Sequence, residues 1–104
     1  MVSGDGCPID RVIADFVSGA VEKMVLAHQH HEILVVEGQG SLIHPSYSGV
    51  TLSLLHGSFP HAMIFVYEIG REVVTGVEHV RIPPLQRMIE INEMMASVER
   101  PAPV

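Results

Sequence analysis

The sequence has no tryptophan, a single cysteine and only 5% aromatic residues. With one thiol, Cys7, an internal disulfide framework is excluded, and a reducing compartment is the natural setting. No run approaches the ~20 apolar residues that span a bilayer. The N-terminus also lacks the basic and apolar regions of a signal peptide. We therefore expect a cytoplasmic protein whose core is aliphatic and filled with methionine.

Basic residues are also scarce, with Lys+Arg 6 against Asp+Glu 12 and a formal net charge of -6. This balance disfavours nucleic acid as a partner, because phosphate binding needs clustered Lys and Arg. More unusual is the absence of any Asp, Glu, Lys or Arg from Gly38 to Tyr67. A solvated loop of that length is normally charged. The neutral stretch is thus predicted to be buried, to face a ligand, or both.

Helical periodicity occurs near both ends of the chain. Apolar residues recur every three or four positions over 8–29, which predicts an amphipathic helix that starts at Pro8. A similar pattern begins at Pro83 or Pro84 and predicts the last helix, followed by a frayed tail over 99–104.

Two apolar runs, 33–36 and 62–68, predict strands that are buried on both faces. Between them, Ser48 is predicted to cap a short helix that Gly57 ends. The stretch from 69 to 82 shows no clear pattern. The element order is therefore helix, strand, helix, strand, loop and helix.

This order predicts an α/β fold, a partial Rossmann-like or P-loop-like layer with parallel strands and flanking helices. The connection between the strands, about two dozen residues, is long enough for a parallel crossover through a helix. Two strands cannot cover these helices. We therefore expect residues 1–104 to form a single α/β unit that is part of a larger sheet or associates with a partner.

Both predicted strands end in a glutamate, Glu37 after the first and Glu68 at the tip of the second. Ligands bind beyond the carboxyl ends of strands in open parallel sheets, so both carboxylates and Asp5 are predicted at one edge. Such carboxylates hold Mg²⁺ or act as a general base. The competing interpretation is that each glutamate only marks where a strand meets solvent, and that Glu68 pairs with Arg71.

The first of these glutamates is followed by Gly-Gln-Gly, at 38–40. Glycines let backbone N–H groups approach an anion, and a following helix N-terminus favours negative charge. Neither GxGxxG nor GxxxxGK[ST] occurs in the chain, so an ordinary turn explains the glycines equally well.

Seven histidines are many for 104 residues. The cluster HQHH at 28–31 contains metal-binding nitrogens but precedes the first strand, at the opposite end of the sheet from Glu37. We interpret it as a polar helix terminus. His44 lies in the neutral stretch beside the predicted crevice and is our imidazole candidate, whereas His56 is interpreted as the end of the short helix.

Several blocks of this sequence resemble one known family. They are GDG, PID, ADFVSGAVE, VVEGQGSL, HPSYSGVTLSLLHGS and EIGRE, which together run from Gly4 to Glu72. They resemble the C-terminal P-loop-like domain of the D-glutamate N-acetyltransferase-like family. The VEG element also resembles the Glu-Gly motif of dethiobiotin-synthetase-like ATPases, whose glutamate is linked to Mg²⁺. Family members are several-fold longer and carry a Rossmann-like domain and a Walker-type loop, which are not found in this sequence.

The resemblance implies that the chain is the C-terminal portion of an acyl-transferring enzyme, with nucleotide or acetyl-CoA bound only in the intact protein. It implies that Glu37 is the carboxylate next to Mg²⁺ or phosphate and that residues 38–41 form the ligand loop. The candidate catalytic residues are Glu37 and His44. The candidate ligand-binding residues are Asp5, Gly38, Gln39, Gly40, Ser41, Tyr47, Ser48, Glu68 and Arg71.

An alternative function is a non-catalytic association module. An apolar sheet edge and a methionine-rich last helix suit a homo-oligomer or contact with the remainder of a parent chain. On the catalytic hypothesis we expect a small-molecule ligand. On either hypothesis we expect no nucleic-acid or membrane partner.

Overall fold

The computed structural model describes Gly4, Gly6, Pro8 and residues 11–104. This part of the chain contains three α-helices, a 3₁₀ turn and a two-stranded antiparallel sheet. In chain order they are the 3₁₀ turn Ala14–Phe16, α1 Val17–Ala27, α2 Ser48–Ser58, β1 Val73–Val74, β2 Val77–Arg81 and α3 Leu85–Ala96. No helix in the described ranges is long and apolar enough to cross a membrane.

The first helix is shorter than the predicted 8–29. α1 begins at Val17, and the 3₁₀ turn before it starts after Ile13, whose ψ of 134° is outside the helical range. The apolar pattern continues through Ile13 and Phe16, but both side chains are exposed. The apolar spacing therefore predicts a helix that is longer than the observed one. Part of its predicted first turn lies outside the described residues.

α1 and α2 pack directly on each other at Gly57, which is buried. A Cβ built on Gly57 would lie 2.7 Å from the Cβ of Val21 and still closer to the carbonyl oxygen of Ser18. No side chain fits between the two helices at this point. Val17 and Val21 of α1 are buried and form part of the small core.

The ends of α2 differ from the predicted ones by one residue each. Ser48 is the first helical residue and not the cap, since Tyr47 occupies the N-cap position without a side-chain hydrogen bond. The helix continues through Gly57 to Ser58 and ends at Phe59, which has a φ of 47°. Arg100 holds this left-handed residue by donating a hydrogen bond to its carbonyl oxygen and stacking 4.4 Å from its ring centroid.

The two predicted buried strands are not paired in the described part of the chain. Residues 33–39 and 62–68 run without helix, turn or bend and belong to no sheet. Several of their apolar side chains are largely exposed, so the prediction of burial on both faces is wrong for this chain. A strand is buried by its neighbours, and the described residues supply none on these edges. The predicted parallel sheet is therefore not observed.

The sheet that is present comes from the stretch without a clear sequence pattern. Val74 pairs with Val77 across the two-residue connection Thr75–Gly76, and Val73 pairs with Arg81 after an irregularity in register. Gly76 has a φ of 80°, which a glycine adopts without the steric cost of a side chain. Gly76 between two short apolar runs was the sequence signal for a turn at this point.

The last helix begins at Leu85, one residue later than the predicted start at Pro83 or Pro84, with Pro84 in the N-cap position; it buries Met88 and Ala96. The tail predicted to fray is held in place. Ala102 is buried, and its N–H donates to Ser97 Oγ at 3.2 Å. The carbonyl oxygen of Pro103 accepts a hydrogen bond of 2.8 Å from the N–H of Met63, which ties the tail to the start of 62–68.

Gly57→Ala is expected to lower the free energy of unfolding by about 1–3 kcal/mol, because the added methyl group overlaps the α1 backbone. Gly49→Ala is the matched control in the same helix, since nothing lies within 4 Å of its added Cβ. It is expected to raise the free energy of unfolding by up to about 1 kcal/mol. Urea denaturation followed by circular dichroism measures both. Similar effects of the two substitutions would contradict the close contact.

Candidate functional site

An open cleft of about 1300 Å³ lies along the two unpaired segments and brings most of the candidate residues together. Those that line it are Glu37, Gly38, Gln39, Gly40, Ser41, His44, Tyr47, Glu68 and Arg71. Ser48 is not among the lining residues, and Asp5 lies outside the described residues. The polar candidates therefore share this cleft with apolar side chains of the unpaired segments, such as Val35 and Val66.

The loop 38–40 is fixed against the first turn of α2. Thr51 donates its side-chain hydroxyl to the carbonyl oxygen of Gln39 at 2.9 Å. Gly40 has a φ of 71°, and a Cβ built on it would lie 2.6 Å from the Cβ of Tyr47. The Cβ of an alanine at Gly38 would meet only Leu54 Cδ1, at an ordinary 3.5 Å. A glycine is therefore required at position 40, because its φ is positive and a side chain would overlap Tyr47. Position 38 has neither restriction.

His44 begins the turn that leads into α2. Its Nδ1 accepts a hydrogen bond of 3.1 Å from the backbone N–H of Ser46, and its ring centroid lies 4.5 Å from that of Tyr47. Because Nδ1 accepts, the neutral ring carries its proton on Nε2. In this state His44 offers a hydrogen-bond donor to a ligand oxygen and is not a proton acceptor.

The two glutamates of the cleft have different surroundings. Glu68 forms an ion pair with Arg71, as the competing interpretation proposed, and both side chains are about half exposed. Such a solvated pair contributes at most about 1 kcal/mol to stability. Within the described ranges, Glu37 has no hydrogen bond and no ion pair. Glu37 is therefore the carboxylate in this cleft that has no partner of its own.

No group of three or more His, Cys, Asp or Glu residues in the described part of the chain is arranged to hold a metal ion. This includes the histidine cluster, although the ring centroids of His30 and His31 are 4.1 Å apart. Mg²⁺ is commonly bound by one or two carboxylates, with water and phosphate oxygens as the other ligands. Glu37 fits that pattern as a single protein ligand, and the described residues do not form a complete cage around it.

Sequence reasoning missed four polar residues that line the cleft, Thr51, Tyr67, Thr75 and Asn92. The amide of Asn92 donates to the carbonyl oxygen of Met88 at 2.8 Å, so this donor is used within α3. Thr51 follows Tyr47 by four residues, and this spacing places both on one side of α2. The four-residue spacing from Tyr47 was the sequence feature that pointed to Thr51 as a contact of the loop.

The chain matches, over residues 1–104, the family described as "Domain of unknown function (DUF1611_C) P-loop domain". The chain belongs to this family. The resemblance drawn from the sequence blocks is therefore confirmed, as is a P-loop domain of mixed helices and strands. The DUF1611 match does not establish the parallel arrangement of the strands.

Two relatives of this DUF1611 domain are named D-glutamate N-acetyltransferase. One, from a Pseudoalteromonas species, is 41% identical over 97% of this chain and 30% of its own length. The other, from Tritonibacter scottomollicae, is 40% identical over 88% of this chain and 27% of its own length. A crystal structure of a DUF1611 family protein from Anabaena variabilis is 41% identical with a TM-score of 0.90, over 97% of this chain and 30% of that one. The chain thus spans less than a third of the relatives it matches.

Gly40→Ala is expected to lower the free energy of unfolding by at least about 1–2 kcal/mol, because a left-handed residue with a Cβ is strained. Its Cβ would also displace Tyr47, so the NMR signals of Tyr47 and Thr51 are expected to shift. Gly38→Ala is the control and is expected to leave these signals in place. If the two variants are equally stable, the loop is not held as described.

Proposed function

We propose that this DUF1611 domain is the C-terminal part of an enzyme that transfers an acetyl group to the nitrogen of D-glutamate. The names of the two relatives support this activity, at 41% and 40% identity. The observation that carries the proposal is the position of Glu37, a carboxylate without a partner among the described residues, directly before a glycine loop that α2 fixes in the cleft.

Acetyl transfer from a thioester requires a proton acceptor. The amine nitrogen attacks the carbonyl carbon, a C–N bond forms, the C–S bond breaks and the thiol leaves. The ammonium group of the amino acid must first lose one proton to become the attacking amine. As the amide forms, the same nitrogen loses a second proton, which balances the proton that the leaving thiolate gains. Glu37 is the group we assign as the acceptor of that ammonium proton. If the intact protein binds Mg²⁺ or a nucleotide, the same carboxylate is the one we assign to the metal, which would neutralise phosphate charge.

The neighbouring groups of the cleft suit an anionic substrate. D-Glutamate carries two carboxylates and acetyl-CoA carries phosphates. The Nε2–H of His44 is a donor for one such oxygen. The N–H groups of Gly49 and Val50, in the first turn of α2, have no hydrogen-bond partner among the described residues, and such a helix N-terminus favours negative charge. We assign recognition of a negatively charged group to this end of α2.

The arrangement of the strands is part of the same proposal. We place segments 33–36 and 62–68 as parallel strands of a Rossmann-like sheet that is completed in the intact protein. Glu37 and Glu68 then follow the carboxyl ends of their strands, where α/β folds bind ligands. The alternative function, an association module, is favoured by the exposed apolar side chains of these segments. It differs from the enzyme hypothesis in requiring no ligand in the cleft.

The proposal predicts the behaviour of a hybrid in which this chain replaces the matched 101 residues of the Pseudoalteromonas relative. The hybrid is expected to acetylate D-glutamate. Glu37→Gln in the hybrid is expected to lower kcat/KM by at least about 100-fold, because general-base catalysis contributes that much or more. Thermal melting should be unchanged, since Glu37 has no partner to lose.

Glu32→Gln is the matched control, because Glu32 is exposed and does not line the cleft. Its activity is expected to equal that of the unmodified hybrid. A folded hybrid without activity, or an active Glu37→Gln variant, would contradict the proposed role.

A further inference from the structure

The cleft has one permanently charged cation among the residues that the structure describes. The sequence contains six Lys and Arg residues, and of these only Arg71 lines the cleft. A guanidinium stays charged at every physiological pH and presents five N–H donors in a planar fork that matches a carboxylate. The rest of the chain is acidic, with a formal net charge of -6 overall, and repels anions. Arg71 is therefore the side chain best suited to attract an anion into the cleft.

The backbone around Arg71 is held by hydrogen bonds on both sides. The carbonyl oxygen of Glu68 accepts a hydrogen bond of 3.4 Å from the N–H of Arg71. Gly70, the third residue of this turn, has a φ of 84°, a value that favours glycine at that position. The carbonyl oxygen of Glu72 accepts a hydrogen bond of 2.9 Å from the N–H of Ile82, which directly follows β2. Arg71 thus lies between a tight turn and the hairpin.

The ion pair of Arg71 with Glu68 is of a kind that a ligand can replace. The side chain of Arg71 is 46% exposed and that of Glu68 is 62% exposed, so water surrounds and screens the pair. A carboxylate of a ligand that binds both arms of the guanidinium fork forms stronger, bidentate hydrogen bonds. Such a carboxylate displaces Glu68, whereas a neutral amide leaves the ion pair in place.

We infer that Arg71 determines the specificity for glutamate by binding its side-chain carboxylate, which displaces Glu68 from the guanidinium. This inference rests on the proposed acetyl transfer to D-glutamate, in which Glu37 takes a proton from the ammonium group. The α-carboxylate is attached to the same carbon as that ammonium group, so the donors of His44 and of α2 are assigned to it. The side-chain carboxylate is the anion farther from Glu37 and requires a second site. Arg71, which follows the other unpaired segment, 62–68, provides this site.

Glu68 gives this site a means of discrimination between similar substrates. When D-glutamate binds, one carboxylate replaces another at Arg71, and the stronger bidentate pair contributes binding energy. D-Glutamine has the same length but a neutral amide, so Arg71 stays with Glu68 and contributes none. The site is therefore expected to favour a dicarboxylic amino acid over its side-chain amide.

Steady-state kinetics and binding calorimetry on the hybrid described above test the inference, with D-glutamate and D-glutamine as substrates. Arg71→Gln is expected to raise both the KM and the Kd for D-glutamate by at least about 10-fold, because a charge-assisted hydrogen bond is lost. The kcat for D-glutamate and all constants for D-glutamine are expected to change much less, so the preference for D-glutamate falls by a similar factor. Glu68→Gln is expected to lower the KM for D-glutamate by up to about five-fold, because the competing carboxylate is removed.

Arg87→Gln is the matched control in the same hybrid. Arg87 also forms an ion pair with a glutamate three residues away, Glu90, and its side chain is 61% exposed. Neither residue lines the cleft. The kinetic constants of this variant for both substrates are expected to equal those of the unmodified hybrid. Thermal melting of all three variants checks that a change in binding is not a change in folding.

Measuring binding as well as turnover separates this inference from the proposed function. A hybrid that binds D-glutamate through Arg71 without acetylating it would contradict the proposed function and support the inference. An active hybrid whose preference for D-glutamate survives Arg71→Gln would overturn the inference alone. Equal losses for D-glutamate and D-glutamine would overturn it too, since Arg71 would then act on a feature that both share. A higher KM for acetyl-CoA alone would assign Arg71 to a phosphate of the donor and would also overturn it.

Discussion

The contact between α1 and α2 at Gly57 is the interaction on which the rest of the arrangement depends. Because no side chain separates the helices there, α2 has one position relative to α1. The first turn of α2 in turn fixes the ligand loop, since Thr51 holds the carbonyl oxygen of Gln39 and Tyr47 leaves space only for glycine at position 40. Glu37 directly precedes this loop. The packing of Gly57 at the C-terminal end of α2 thus determines the position of the Glu37 carboxylate near its N-terminal end.

The cleft is lined by polar groups of the ligand loop and of the first turn of α2, and by the unpaired segments 33–36 and 62–68. Apolar surface in water is unfavourable by about 25 cal/mol per Å², and the free backbone groups of a strand edge add a further tendency to pair. The described residues therefore hold the loop in place but leave much of segments 33–36 and 62–68 exposed.

The sequence predicted best what depends on contacts within this chain. The start of α3 followed from its prolines and its apolar spacing, and the candidate residues from Glu37 to Tyr47 share a cleft because they come from one contiguous stretch. Burial of the strands was wrong, because hydrophobicity shows that a segment needs covering but not which residues cover it. The hairpin was missed because β1 has only two residues, too few to show alternation. The role of Thr51 required knowing which side of α2 faces the loop.

The most direct test of this account is a crystal structure of the full-length Pseudoalteromonas relative with acetyl-CoA and D-glutamate bound. The account predicts that the carboxylate matching Glu37 lies within hydrogen-bond reach of the substrate nitrogen, about 2.6–3.2 Å or through one water, or binds a metal on the donor phosphates. Both ligands bound entirely outside the region that matches this chain, with that carboxylate facing solvent, would contradict it.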